Sequence, residues 1–312
     1  MHAIKVVALA GGVGAARFLR GLVGATDPCG VIAIVNTGDD FVHHGLHISP
    51  DLDTVTYTLA GFVNEAAGWG IAGDTTACLE MLGHLGQETW FRLGDRDLAI
   101  HLMRTRLLGE GLPLSSVTER IRHAFGLQAR ILPMTDAPFA TLVETPEGVL
   151  PFQDYFVRRG WRDPVRALHF RNAKAARPAP GVLEAIDSAE AIIVCPSNPL
   201  VSIAPILGVP GIRDAIEQSR APVAAVSPII GGRALKGPAD RMLRDLGHAS
   251  TAAGVARLYE KLADIFVVDK EDAGLVAEIE GLGMRCVAIN TMMSTPERAR
   301  ELASAVLGLL RP

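Results

Sequence analysis

Cysteine is scarce. There are 4 in 312 residues, at Cys29, Cys78, Cys195 and Cys286, and none sits in Cys-x-x-Cys spacing. That excludes a zinc ribbon and a secreted disulfide scaffold, and it fits a reducing, cytoplasmic setting. No apolar run approaches the roughly 18 residues that a membrane span requires. The N-terminal MHAIKVVALAGG has a single lysine and no small-residue cleavage site, so it reads as a first buried strand and not as a signal peptide. Runs rich in Lys and Arg are missing too. With 30 Lys+Arg against 34 Asp+Glu, the formal charge is −4. This argues against nucleic acid and against a membrane surface as partner, and for a small ligand. Two nucleotide-binding fingerprints are also absent. Starting GxGxxG at Gly12 puts Arg17 where the third Gly or Ala belongs, and GxxxxGK[ST] has no match.

What is present is an apolar, glycine-rich chain. Its 49% apolar and 21% charged residues match a globular protein able to bury a sizeable core. The length corresponds to about two domains, or to one large α/β domain with an insertion. Glycine, 32 of 312 residues, exceeds the average of about 7% and implies many tight turns and close backbone approaches. Short Val/Ile/Ala-rich runs recur at Ile4–Ala10, Val31–Val35, Ala191–Cys195, Val223–Val226, Ile265–Val268 and Cys286–Ile289. Continuous runs of this kind, without polar alternation, are strands buried on both faces of a parallel sheet. Helical patterns separate several of them, at Ala15–Val23, Pro238–Leu246, Glu271–Gly281 and Pro296–Leu310.

The fold class expected is therefore α/β: a Rossmann-like, doubly wound, mostly parallel sheet. A mostly helical insertion interrupts it and forms the substrate pocket. Residues 1–40 and 188–312 make the nucleotide-binding core and residues 41–187 the insertion. Within the insertion, helices are expected near Thr54–Phe62, Thr75–Leu85, Arg96–Leu108 and Ser115–Phe125, with β-like pieces at Ala129–Leu132, Thr141–Glu144 and Arg166–Phe170.

Ligands of open parallel sheets bind beyond the carboxyl ends of the strands. Five segments occupy that place: Gly11–Gly14, Asn36–Asp40, Pro196–Pro199, Ser227–Gly232 and Asp269–Asp272. Gly11–Gly14, between a strand and a helix, offers amide groups to a phosphate, or is merely a tight turn. Asp39 and Asp40, followed by Asp51 and Asp53, are hard oxygen ligands suited to Mg²⁺. The bland role for Asp51 is helix capping. His43, His44 and His47 read as loop histidines without a metal, since the HHxxH pattern has no fourth ligand. Asp95 is expected to cap the helix beginning at Arg96, and Arg92 to meet a phosphate, a carboxylate or a polar heterocycle edge. Ser197 and Asn198, between two prolines, can recognise a base or ribose or simply make a turn. Met292 and Met293 read as core packing.

Taken together, GGVGAARFLRGL, VNTGDD, ISPDLDTVTYTLAG, GWGIAGDT, RLGDRDLAIHLMRT, ILPMTDAP, PSNPLVSIAPIL, VSPIIGG and TMMST resemble the 2-phospho-L-lactate transferase family of the coenzyme F-420 pathway. The resemblance runs from about Leu9 to about Leu302, in the family's order. It implies a Mg²⁺-dependent transfer of a phospholactyl or enolpyruvyl phosphate group from a guanosine-diphosphate-linked donor. The acceptor it implies is the ribityl hydroxyl of 8-hydroxy-5-deazariboflavin (Fo), with release of GMP. By the same resemblance Asp53 and Arg92 meet the deazaflavin, and the metal falls among Asp39, Asp40, Asp51 and Asp53. The guanine nucleotide lies over Gly12, Gly14, Asn36, Ser197, Asn198, Ser227 and Gly231. Val13 departs from the Thr of many relatives' GGTG loop and removes one hydroxyl.

Such a transfer rests on positioning and charge neutralisation more than on acid–base groups. Asp40 and Asp53 are the catalytic pair expected, with Gly12–Gly14 amides on the leaving GMP. A non-enzymatic nucleotide-sugar-binding regulator with the same core is the alternative, and the segments ISPDLDT and LGDRD argue against it. A flavin or nicotinamide oxidoreductase is disfavoured by the failed fingerprint. A homodimer is the default assembly.

Overall fold

The computed structural model describes residues 4–311, so the first three residues of the expected core segment 1–40, and Pro312, lie outside the described residues. Seven strands build the main sheet: β1 Val6–Ala10, β2 Val31–Val35, β3 Arg130–Pro133, β4 Ala191–Val194, β5 Val223–Val226, β6 Ile265–Asp269 and β7 Arg285–Ile289. Their spatial order is β7-β6-β5-β4-β1-β2-β3, and every pairing is parallel. Val6 lies opposite Val31 on one side and Ala191 on the other, so the order reverses direction across β1 and β4. That reversal opens the switch-point crevice of a doubly wound sheet.

The apolar runs are continuous because both faces are covered. Val7, Leu9, Ile32, Ile34, Ile192 and Val194 enter one core cluster. Their alternating neighbours Val6, Ala8, Val31, Ala33, Ala191 and Ile193 enter the other. Two helices cover the second face, α1 (Gly12–Ala25) and the C-terminal Pro296–Leu309. They approach so closely that a Cβ at Gly21 would lie 2.2 Å from the Ala299 carbonyl oxygen, which only glycine allows.

The expected strands and most expected helices form within a few residues of their predicted bounds. Three differences stand out. Arg130–Pro133, among the β-like pieces of the 41–187 stretch, is the outer strand of the main sheet, paired with β2. Glu271–Gly281 is not one helix: a 3₁₀ segment, Lys270–Leu275, precedes a short helix, Val276–Glu280. Phe41–His43 and Leu46–Ile48 form an antiparallel hairpin that loop-like histidines had masked.

Between β2 and β4 the chain adds α2 (Pro50–Leu59), the helix Ala77–His84, α3 (Asp95–Gly109) and the helix Leu114–Ala124. It also adds a three-stranded antiparallel sheet in which Ala140–Thr145 lies between Gly148–Pro151 and Ala167–Arg171. Some of them also cover the main sheet: Leu52, Val55 and Leu114 join one core cluster and Val143 the other.

Candidate active site

A cleft of about 810 Å³ opens at the switch point. Its floor is made by Gly11–Gly14, Asp39, Pro196–Asn198 and Ser227–Pro228, so four of the five expected loops converge there. The fifth stands behind the floor and braces it. Asp269 accepts from the Thr291 backbone N–H (2.8 Å) and hydroxyl (3.0 Å), and Asp272 accepts from the Gly231 N–H at 3.1 Å. Its place on the wall is taken by Thr291–Ser294, beyond β7, including the methionines read as core. Aromatic rings line much of the rest: Trp69, Trp90, Phe91, Phe152, Phe156 and Trp161. Phe152 and Phe156 stack at 5.4 Å, and Phe91 meets Phe41 edge-on at 4.8 Å. The Arg158 guanidinium lies 5.5 Å from the Trp90 ring and pairs with Glu88, which fixes that ring at the rim.

The ISPDLDT segment enters the cleft as the first turn of α2. Pro50 stands in that turn, where its missing N–H costs nothing, and Asp51 and Asp53 complement the positive helix end. The Ser49 hydroxyl caps nothing. It donates instead to Asp40 Oδ2 at 2.6 Å, where His47 also approaches at 3.2 Å.

Asp51 and Asp53 are two residues apart, so the helix points them in different directions. Asp51 turns to the sheet. It accepts from Asn36 Nδ2 at 2.9 Å and from the Gly12 backbone N–H. A Cβ at Gly11 would lie 2.9 Å from its Oδ2. Burial, with the nearby charge of Asp40, pushes the Asp51 carboxyl up to about 7 against the pull of those two hydrogen bonds. Asp39 is raised well above the carboxylate range, by burial first and then by Asp51 and Asp40. Burial raises Asp40 as well, opposed by His47 and Ser49. Asp39 Oδ1 and Asp40 Oδ1 are buried without a hydrogen-bond partner among the described residues. Burial and mutual repulsion thus favour the protonated forms of Asp39 and Asp51, neither of which has a cation within ion-pair distance among the described residues.

Asp53 turns the other way, into α3. Both of its carboxylate oxygens accept from the buried Arg104 guanidinium, Nη1 at 3.0 Å from Oδ2 and Nη2 on Oδ1. His101 Nδ1 lies 3.7 Å from Asp53 and its Nε2 3.2 Å from Asp97, whose other oxygen takes the Tyr57 hydroxyl. Arg104, Asp97, His101 and Tyr57 were not singled out from the sequence. The signal was there: in LGDRDLAIHLMRT, Asp97, His101 and Arg104 recur at i, i+4 and i+7, a polar stripe on one helix face.

Two carboxylates trade roles nearby. Asp95, expected to cap its own helix, caps Ala77–His84 by accepting from the Ala77 (3.0 Å) and Cys78 (2.9 Å) backbone N–H groups. Asp74 caps α3 by accepting from Arg96 at 2.9 Å and Asp97 at 3.1 Å. A Cβ at Gly94 would lie 2.1 Å from the Asp74 carboxylate, so glycine is required there.

Of the other expected residues, Gly12, Gly14, Ser197, Asn198, Ser227 and Arg92 line the cleft. Gly14 owes its identity to packing, since a Cβ there would meet the Pro196 carbonyl oxygen at 2.3 Å. Ser197 donates to the Gly11 carbonyl at 2.6 Å, and Asn198 and Ser227 shape their own turns through the Leu200 and Ile229 backbones. Asn36, Asp40 and Gly231 stand behind the wall. Asn36 is fully buried, orients Asp51, and accepts from the Gly38 N–H at 2.8 Å. The three loop histidines do not converge on one point: the His43 and His44 rings lie 4.1 Å apart, with His44 turned to the Glu88 carbonyl, while His47 meets Asp40.

An open, doubly wound sheet with an acidic floor and an aromatic wall at its switch point defines a Rossmann-like α/β protein with one large ligand cleft. Comparison with known proteins makes this specific. The 2-phospho-L-lactate transferase CofD family matches residues 6–300. A "Phosphoenolpyruvate transferase" of Streptomyces griseus is 46% identical over 98% of both chains. A "2-phospho-L-lactate transferase" of Methanosarcina mazei is 36% identical over 97% of this chain and 99% of its own. A crystal structure of a upf0052 family member from Bacillus halodurans shares the fold, with a TM-score of 0.65 and 17% identity over 97% of this chain and 99% of its own. The chain belongs to the 2-phospho-L-lactate transferase CofD family and is a transferase of coenzyme F-420 biosynthesis.

Proposed function

We propose that the protein transfers an enolpyruvyl phosphate group from a guanosine-diphosphate-linked donor to the ribityl hydroxyl of Fo, releasing GMP. The observation that carries this reading is one cleft lined both by the buried carboxylates Asp39 and Asp51 and by six aromatic rings. The choice of enolpyruvyl over lactyl rests on relatives at 42–46% identity that bear the name phosphoenolpyruvate transferase, against 36–38% for those named for phospholactate.

A divalent cation fits one of two acidic groups. Among the described residues, Asp53, Asp97 and His101 bring ligand atoms within 4.8 Å of one another, but Arg104 occupies Asp53 and its charge opposes a dication. Asp39 and Asp51 on the cleft floor have no such cation among the described residues, while Asp40 behind them meets His47 at 3.2 Å. Mg²⁺ commonly takes one or two carboxylates and completes its shell with water and phosphate, so Asp39 and Asp51 suffice to hold it. Held by Asp39 and Asp51, Mg²⁺ would supply charge neutralisation at the donor's diphosphate.

The chain's own residues do the rest. The aromatic wall receives the flat deazaflavin, with Arg92 at its polar edge and Asp53, fixed by Arg104, toward its hydroxyls. Pro196–Asn198 and Ser227–Pro228 hold the nucleotide at the sheet edge. The acceptor oxygen then bonds to the phosphorus carrying the organic group, and the bond from that phosphorus to the bridging oxygen breaks. The electron pair stays with GMP and the hydroxyl proton passes to solvent.

Incubation with Fo, Mg²⁺ and, separately, the lactyl, enolpyruvyl and glyceryl donors tests this by mass spectrometry of the product. The enolpyruvyl adduct is expected, and no adduct from any donor sinks the reading. We further propose a homodimer, checked by light scattering, and a cytoplasmic location. The four free cysteines support the latter, and no helix among the described residues is long and apolar enough to cross a membrane.

A further inference from the structure

Three cationic side chains besides His101 line the cleft: Arg17, Arg92 and Lys236. None of the three has a carboxylate within ion-pair distance among the described residues, whereas the buried Arg104 is paired with Asp53, which lines the same cleft. Two of them are brought together from distant parts of the chain. Lys236 follows the short strand Arg233–Ala234, and its ammonium donates to the Ala67 carbonyl at 3.1 Å. A Cβ at Gly68 would lie 3.2 Å from Lys236 Nζ and 2.7 Å from Val13 Cγ1, so the ammonium and Val13 flank the same glycine. Arg17 follows Val13 by four residues on α1 and shares its face. Burial, and then the charge of Arg17, lowers the Lys236 ammonium from its ordinary value. Two like charges held at one lip of a cleft favour an anion between them.

One of the expected phosphate donors is meanwhile turned elsewhere: the Gly12 N–H acts on Asp51. We propose that Arg17 and Lys236 form an anion-binding subsite for the phosphate of the leaving nucleoside monophosphate. The assignment of that phosphate rests on the transfer reading above. In the step written there, the electron pair and the new charge fall on the bridging oxygen that departs with GMP, and these two cations receive them. Lys236, on an exposed loop tied to Ala67, closes on the phosphate from outside, while Arg17 is fixed on its helix.

The test is calorimetric binding of GMP, of inorganic phosphate and of phosphoenolpyruvate to the wild-type protein and to Arg17→Met, Lys236→Met and the double variant. Fo binding and Tm serve as controls for an intact fold. Each single change is expected to weaken GMP about tenfold and the pair more, with Lys236→Arg restoring part of the loss. In turnover, kcat is expected to fall more than KM rises. Equal GMP affinity in the double variant, or no GMP binding by the wild type, overturns the subsite. Greater loss for phosphoenolpyruvate than for GMP also overturns it, by moving the cations to the donor's organic end. Wild-type GMP binding that the double variant loses, in a protein that forms no Fo adduct, supports the subsite and defeats the transfer reading alone.

Discussion

Asp51 and Asp53 share one helical turn and one short motif, yet they meet opposite electrostatic fates. Asp53 is buried against a guanidinium that takes both of its oxygens. Asp51 is buried against other carboxylates and is pushed up to about 7. A neutralised carboxylate is a fixed point from which a polar ligand group can be positioned. An uncompensated one is a vacancy in the charge balance that a cation fills. Both line one cleft, and the glycine loop packs against the second, where a Cβ at Gly11 would lie 2.9 Å from Asp51.

The largest effect expected from breaking this contrast is on Arg104. Arg104→Met leaves Asp53 buried with only His101 Nδ1, at 3.7 Å, beside it, and should cost about 3–5 kcal/mol in urea unfolding. Adding Asp53→Asn should recover part of that, because no lone charge remains. A loss well under 1 kcal/mol would mean that the pair is not the buried ion pair described. Next is the metal. Mg²⁺ at about one hundred times its Kd should stabilise the wild type by about 2.7 kcal/mol, read as a rise in Tm. Asp39→Asn should remove most of this response and Asp53→Asn should retain it; the reverse pattern would move the metal to the helical wall.

Gly11→Ala tests the floor by sterics. Its Cβ would press on Ser202 at 2.8 Å and on Asp51 at 2.9 Å, and overpacking of this kind costs about 1–3 kcal/mol. Its Mg²⁺ response should weaken in parallel, measured in the same thermal scan. The smallest effect has the opposite sign. In metal-free protein, Asp51→Asn should stabilise by on the order of 1 kcal/mol, since an amide removes repulsion with Asp39 and Asp40. Destabilisation there would show that Asp51 is already compensated.

Much of this was readable from residues in order. Continuous Val/Ile/Ala runs identified strands buried on two faces because that burial leaves no polar alternation. PDLDT announced a helix start, since Pro and Asp suit a first turn for local reasons. Arg130–Pro133 was visible as β-like but not as the outer strand of the main sheet, because its pairing with β2 closes a gap of about a hundred residues. Asp95 and Asp74 exchange caps across two helices, and local sequence favours each for its own.

The sequence by itself determined the parallel sheet and the loops that end its strands, and it put two aspartates just ahead of a helix expected near Thr54. The helix begins at Pro50 instead, so both aspartates lie in its first turn and diverge, because residues two apart on a helix do not share a face. Only the tertiary structure decided what each one meets. Arg104 lies 51 residues from Asp53, and Asn36 lies 15 residues from Asp51. Charge compensation acts through space, and in a buried site the neighbour a few ångströms away sets a carboxylate's chemistry, whatever its distance along the chain.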